Sequence, residues 1–186
     1  LHIEICRNSK RYTIEFQNGT KTKDLEETGT AAKSGTTLGF KPNPAYFDTD
    51  QFNRDAIRAA LKSKAVLCQG LTTTFTLEQT GETDTWYYDQ GLDQYLQERI
   101  SSAETIFPEP FTGSADNDEF QAVWAVNWGL EDPLDLEESY VNLIPTVQGG
   151  THVNGLRTGL TEAVREFCEF RNLTPRGLRI APEDVW

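Results

Sequence analysis

The residues best suited to chemistry gather in the last third of the chain. Gly149-Gly150-Thr151-His152-Val153-Asn154-Gly155 is glycine-rich and opens a helical pattern. Free amides at a helix N-terminus attract anions. The run is neither a GxxxxGK[ST] phosphate loop nor a GxGxxG turn after a strand, so a tight strand-to-helix turn is its simpler reading. Acid–base work needs a second, oriented partner beside the imidazole. None stands beside His152, which reads as a cap or packing residue; His2, in a strand pattern, is plainer still. Glu131, Asp132, Asp135, Glu137 and Glu138 form an acidic cluster able in principle to hold a hard cation. It lacks the glycine turn and ligand spacing of a calcium loop, and charge runs usually lie in solvent, so a solvated hairpin tip is expected.

Between Arg157 and Arg179, five arginines (Arg157, Arg165, Arg171, Arg176, Arg179) face three glutamates (Glu162, Glu166, Glu169). This locally basic stretch sits in a chain of formal charge −12, with 17 Lys and Arg against 29 Asp and Glu. The overall charge excludes a protein that grips nucleic acid or an anionic membrane with its whole surface. The stretch itself suits either a local phosphate-facing surface or a solvated helix face. Cys6, Cys68 and Cys168 are odd in number and widely spaced, without a CxxC. They read as reduced thiols in a cytoplasmic protein rather than a zinc site or disulfide framework.

Positioning these residues falls to an α+β chain. Its 186 residues, 37 % hydrophobic and 11 % aromatic, suffice for a core. Apolar runs such as Ala65-Val66-Leu67-Cys68 are far short of the roughly 20 residues a membrane helix needs, so no membrane partner is expected. With no methionine, Leu1 is expected not to be a translation start. Over residues 1–28, alternation broken at Asn8-Ser9-Lys10 and Asn18-Gly19 predicts antiparallel strands. Residues 29–35 read as a loop and Thr36 to Phe40 as a short strand stopped by Pro42-Asn43-Pro44. Phe52, Ala56, Ile57, Ala60, Leu61 and Ala65 predict a helix with Asp50 or Asn53 near its start, ended by Gly70. Leu71 to Leu77 and Trp86-Tyr87-Tyr88 predict a hairpin, and Leu92, Tyr95, Leu96 and Ile100 a second helix. Residues 101–118 read as a loop. A strand through Phe120, Val123, Ala125 and Trp128 should turn at Glu131-Asp132-Pro133 and return over Leu136 to Ile144. Val153, Leu156, Leu160, Val164, Phe167 and Phe170 give the clearest helical stripe.

A long stretch carries a resemblance. Tyr140-Val-Asn-Leu-Ile-Pro-Thr-Val-Gln-Gly-Gly-Thr-His-Val-Asn-Gly-Leu-Arg157 and Arg165-Glu-Phe-Cys-Glu-Phe-Arg-Asn-Leu-Thr-Pro-Arg-Gly177 resemble the ATPase subunits, or B subunits, of bacterial type II DNA topoisomerases. Lys64-Ala-Val-Leu-Cys68 and Gly91-Leu-Asp-Gln-Tyr-Leu96 look like the same family, and the resemblance runs over the whole chain. The Gly-Gly-Thr-His element is shared with gyrase; the Asn-Leu-Ile-Pro lead-in and the Cys-Glu-Phe-Arg-Asn run look more like topoisomerase IV.

The resemblance implies an architecture. Residues 1–47 would be the last strands of a GHKL-type ATPase domain, and residues 48–186 most of a ribosomal-protein-like transducer domain. That transducer would hold a mixed sheet with helices on one face and a left-handed βαβ crossover, against the usual hand. Thr36 matches the family's threonine at the floor of the adenine pocket, where aminocoumarin inhibitors also bind, and Leu38 an apolar neighbour in that wall. Arg157 matches an arginine facing the cavity that transported DNA crosses. The family's water-activating Glu, magnesium-holding Asn and ATP lid would lie before Leu1, and its γ-phosphate-sensing Lys after Trp186. No catalytic or metal-binding residue is therefore expected within the chain. ATP and Mg²⁺ would belong to the intact B subunit, a homodimer acting with the topoisomerase IV A subunit and DNA in a heterotetramer. The alternatives are the gyrase B subunit and a non-enzymatic module sharing the transducer fold.

Overall fold

The computed structural model describes residues 1–130, 136–175 and 177–186. The chain divides into two compact units, Leu1–Ile57 and Arg58–Trp186. The predicted turn at 131–133 lies outside the described residues, as do Asp135 and Arg176.

The first unit is a four-stranded antiparallel sheet in the order β3-β2-β1-β4, with β1 (His2–Arg7), β2 (Lys10–Gln17), β3 (Thr20–Thr30) and β4 (Gly35–Gly39). Its two hairpins turn on the predicted dipeptides. Asn8 and Ser9 take φ 53° and 61°, Asn18 and Gly19 φ 50° and 78°, the left-handed pairs whose twist matches the flanking strands. Asn43 tethers the proline segment after β4, its Nδ2 donating to Asn18 Oδ1 at 2.8 Å. Leu38, Ile3 and Ile14 form one cross-strand row, and Thr36, Ile5 and Tyr12 the next, on the same face. These apolar side chains are at most half-buried.

In the second unit, the core is Ala65, Val66 and Tyr88, with Trp86, Leu92 and Tyr95 packed against it. It joins α1 (Arg54–Leu67), the end of the hairpin β5 (Thr73–Leu77) to β6 (Glu82–Trp86), and α2 (Leu92–Ile100). Asn53, not Asp50, caps α1, accepting from the Ala56 amide at 3.0 Å. Arg58 pins the hairpin to α1. Its guanidinium meets Asp84 at 2.7 Å and Glu82 at 3.0 Å, and lies 4.9 Å from the Phe75 ring centroid. Tyr88 falls outside β6 and turns into the core.

Two expectations fail next. A strand, β7 (Phe111–Asp116), lies within the segment read as loop and pairs with β8 (Gln121–Val126). It has one large apolar residue, so no alternation reveals it; what holds it is Gly113, over which the Trp124 ring lies so closely that a Cβ would collide. The expected return strand from Leu136 is instead a small separate hairpin, β9 (Tyr140–Val141) and β10 (Ile144–Pro145), turning on Asn142 and Leu143 at φ 49° and 66°. The broader sheet expectation is corrected too. Among the described residues the strands form four separate sheets, and every ladder is antiparallel. A mixed sheet needs a parallel ladder. Local hairpins close short loops at small entropic cost and leave no such ladder here. Finally α3 (Thr151–Phe170) follows its predicted stripe, with Phe167 and Phe170 exposed at its end. A short 3₁₀ turn (Pro182–Asp184) packs back on α3.

Candidate functional site

Thr36 and Leu38 sit two residues apart on β4, an edge strand of its sheet. Alternation along a strand puts both on one face, beside Ile5 and Ile3 of β1. Leu38 is 54 % exposed. A hydroxyl next to an open apolar surface is the surface that a flat, partly polar ring needs. Arg157 lies in the other unit, on α3.

Arg157 is held on three sides. Its Nη2 donates to Glu137 Oε2 at 2.6 Å. Its guanidinium carbon stands 5.5 Å from the centroid of the Trp186 ring, within cation–π range. Its backbone carbonyl accepts from Thr161 Oγ1 at 2.8 Å and Trp186 Nε1 at 3.3 Å. Trp186 is fixed in turn by the Trp128 ring, centroid to centroid 6.2 Å, while Trp128 Nε1 donates to the Val185 carbonyl at 2.6 Å. Arg157, Arg165, Asn154, Thr158 and Trp186 line one open groove of about 390 Å³. Arg165 Nε donates to the Ile180 carbonyl at 2.6 Å, tying the C-terminal segment to α3.

The acidic cluster resolves into two uses. Glu137 meets Arg157. Glu138 accepts from Tyr95 Oη at 2.7 Å and Tyr140 Oη at 2.8 Å, so it ties α2 to β9. Burial and then the bond to Glu138 push the Tyr95 phenol up to about 12 and raise Tyr140 likewise. Burial and the bond to Glu98 raise Tyr88. Glu137 and Glu138 are exposed, as expected of a charge run, but each is partnered rather than free at a hairpin tip; Glu131, Asp132 and Asp135 lie outside the described residues. Among the described residues no three His, Cys, Asp or Glu side chains converge to hold a metal ion.

His152 stands 3.3 Å through Nε2 from Thr146 Oγ1, itself 2.6 Å from Ser139 Oγ. Its ring covers Gly150 closely enough that a Cβ there would lie 2.9 Å away. These contacts fasten the glycine turn to the strand before it, the packing role expected. In the sequence Glu137 stands in a charge run and Trp186 in a tail, so both partners of Arg157 escape notice there. The available signal was an acidic run lying shortly before a basic helix.

The family model described as DNA gyrase B matches residues 91–186. The whole chain is 46 % identical to the DNA topoisomerase 4 B subunit of Pseudomonas aeruginosa and 44 % identical to that of Escherichia coli. It spans 30 % of the length of each. The DNA gyrase B subunit of Chlamydia muridarum is 32 % identical over 97 % of this chain and 23 % of its own length. Among solved structures, the topoisomerase IV ATP-binding domain of Francisella tularensis, in complex with a small-molecule inhibitor, superposes with TM-score 0.80 at 35 % identity, over 98 % of this chain and 50 % of that one. The 43K ATPase domain of Thermus thermophilus gyrase B, in complex with an aminocoumarin, gives TM-score 0.79 at 26 % identity, over 99 % of this chain and 51 % of that one. A match over half the chain by one family description, with relatives of the same kind along its full length, settles the kinship: the chain belongs to the DNA gyrase B family, with greater identity to the Pseudomonas aeruginosa and Escherichia coli topoisomerase IV subunits than to the gyrase subunit of Chlamydia muridarum.

Proposed function

We propose that this chain is part of the ATP-hydrolysing subunit of a DNA topoisomerase IV, coupling ATP binding and hydrolysis to passage of one duplex through another. The observation that carries this reading is similarity along the entire chain to topoisomerase IV relatives, 46 % in the case of Pseudomonas aeruginosa. Residues 1–47 then complete a GHKL ATPase domain. The half-buried apolar face around Ile3, Ile5, Ile14 and Leu38 supports this, because such a face is stable only against further packing. Residues 48–186 form most of the transducer.

Thr36 and Leu38 form part of the adenine-pocket wall. The fit is to the base alone: Leu38 offers apolar contact, and the Thr36 hydroxyl makes no hydrogen bond within the described residues. Among the described residues no set of side chains matches Mg²⁺, and no step is assigned to it. Bound ATP supplies a γ-phosphoryl group whose transfer depends mainly on positioning and charge stabilisation; these residues contribute base binding. Arg157 faces the transported duplex, and its groove with Arg165 supplies positive charge to a chain of −12. The acting assembly would pair two copies of this B subunit with two copies of the topoisomerase IV A subunit.

The decisive experiment uses the full-length protein with its partner subunit. ATP-dependent decatenation of interlinked DNA circles without introduction of negative supercoils is expected. Negative supercoiling would instead assign the chain to a gyrase. Absence of both activities, with no ATP hydrolysis, would favour a non-enzymatic module. The 186 residues alone are expected to hydrolyse no ATP; nucleotide-dependent turnover by the pure chain refutes that.

A further inference from the structure

Arg157 does not wait for DNA as a free cation. It is already bonded to a carboxylate at 2.6 Å, a charge-assisted geometry also offered by a phosphate oxygen. That carboxylate is itself held in place. The next residue, Glu138, is gripped by two phenols from different elements, Tyr95 on α2 and Tyr140 on β9. Lys64 of α1 adds a bond to the Leu143 carbonyl in the turn beyond β9. A carboxylate on a free loop would roam; this one is delivered to the guanidinium by its stapled neighbour. The pair remains open to solvent, with side chains 45 % and 50 % exposed, so a competing anion can reach it.

We propose that Glu137 is the positioning residue of Arg157: it occupies the place of a DNA phosphate, orients the guanidinium against Trp186, and is displaced when a duplex enters the groove. This rests on the assignment of Arg157 to a DNA-facing surface. The consequence is opposite to ordinary damage. A residue that only supports the fold weakens DNA coupling when it is changed. A phosphate surrogate competes with DNA, so removing its charge strengthens the coupling. An exposed ion pair is weak enough for a phosphate to replace it, so the competition is a tuning of affinity, not a block.

The test measures the concentration of linear duplex DNA that half-stimulates ATP hydrolysis by the full-length protein assembled with its partner subunit. Glu137→Gln keeps the side-chain shape and removes the charge. It is expected to lower the half-stimulating concentration about two- to fivefold, the range spanned by exposed ion pairs. Glu183→Gln removes a carboxylate from the same groove and is expected to change it less. In an Arg157→Gln background, Glu137→Gln should add nothing. An unchanged or raised half-stimulating concentration in Glu137→Gln overturns the proposal. So does an equal gain from Glu183→Gln, or a gain that persists without Arg157, since either is a general charge effect. If Arg157→Gln by itself leaves the DNA response intact, the DNA-facing assignment fails, and the proposal falls with it.

Discussion

Changing Gly91 to alanine tests whether the core of the second unit depends on close approach of α2 to α1. Gly91 precedes α2 at φ 56°, ψ −124°, a conformation open to glycine and costly for a residue with a Cβ. A Cβ there would lie 3.0 Å from Gln69 Cγ and Nε2 and 3.2 Å from the Val66 carbonyl oxygen. The Gln69 side chain can swing away. The Val66 carbonyl cannot, because Val66 is 4 % exposed and belongs to the buried cluster. Gly70 is the control: φ is 78°, and a Cβ there would meet nothing within 4 Å. Alanine at either site takes on the cost of a positive φ, about 1–2 kcal/mol for left-handed α backbone and no less at Gly91, whose ψ lies outside that region. Gly91→Ala adds about 1–1.5 kcal/mol of overpacking, toward the low end of the usual range because one neighbour can yield. The difference is close to a tenfold change in the opening equilibrium. Hydrogen exchange at the Ala65, Val66, Leu67 and Cys68 amides, followed in the full-length protein, reads that equilibrium directly. Protection should fall roughly tenfold further in Gly91→Ala than in Gly70→Ala. Equal loss in the two variants refutes the packing argument.

Other expectations follow from the same geometry. Arg157→Gln should flatten the salt dependence of DNA binding, reducing the log–log slope by about 0.9 for the single phosphate it no longer neutralises; an unchanged slope with weakened binding would place the effect elsewhere. Thr36→Ala should weaken ATP and aminocoumarin binding to the full-length protein about threefold to tenfold, the worth of one hydrogen bond, measured by isothermal titration; no change would remove Thr36 from the adenine wall. The raised tyrosines fix a pH dependence. Tyr95 moves from its ordinary 10.0 up to about 12, so the folded state favours the neutral, donating phenol. Its stabilising contribution is complete below about pH 10 and is lost as pH rises from there toward about 12. Exchange at the α2 amides should accelerate across that window in wild type and less in Tyr95→Phe. A similar acceleration in both would discount the phenol.

What could be read from the sequence was local. Asn8-Ser9 and Asn18-Gly19 announce their hairpins because few residues accept left-handed backbone, and α3 shows its face through a stripe sustained from Val153 to Phe170. A helix start at Asp50 or Asn53 was legible for the same local reason, and the Ala56 amide selects Asn53. β7 was not, because its determinant is a pair across the ladder: Gly113 has meaning only once Trp124 lies over it. The expected single sheet failed at the same level, since ladder partners between hairpins are a matter of tertiary packing and no periodicity encodes them. For the proposed site, the resemblance alone pointed to Thr36 and Leu38, while Arg157 also stood out within a locally basic stretch. The environment of Arg157 was hidden, because Glu137 lies 20 residues away on an irregular segment.

That environment changes how the charge of the chain bears on DNA. A net −12 repels a polyanion at a distance, and at moderate salt this repulsion is screened beyond roughly 10 Å. Contact energy then depends on which charges lie within that distance of the phosphate. Around Arg157 they include Arg165 and Glu183 in the groove, and Glu137 on the guanidinium itself. A nearby carboxylate already matched to the arginine cancels its attraction for a passing phosphate but not for one that can take the carboxylate's place. With Arg157 facing DNA as proposed above, the site would respond to a duplex pressed into the groove more than to DNA in solution. The order of Glu138 between Tyr95 and Tyr140 matters for that response, because it holds Glu137 within reach of Arg157. Core packing at Gly91 and Val66, the phenol clamp on Glu138 and the ion pair at Arg157 are successive links in one unit, and loosening the first should be felt at the last.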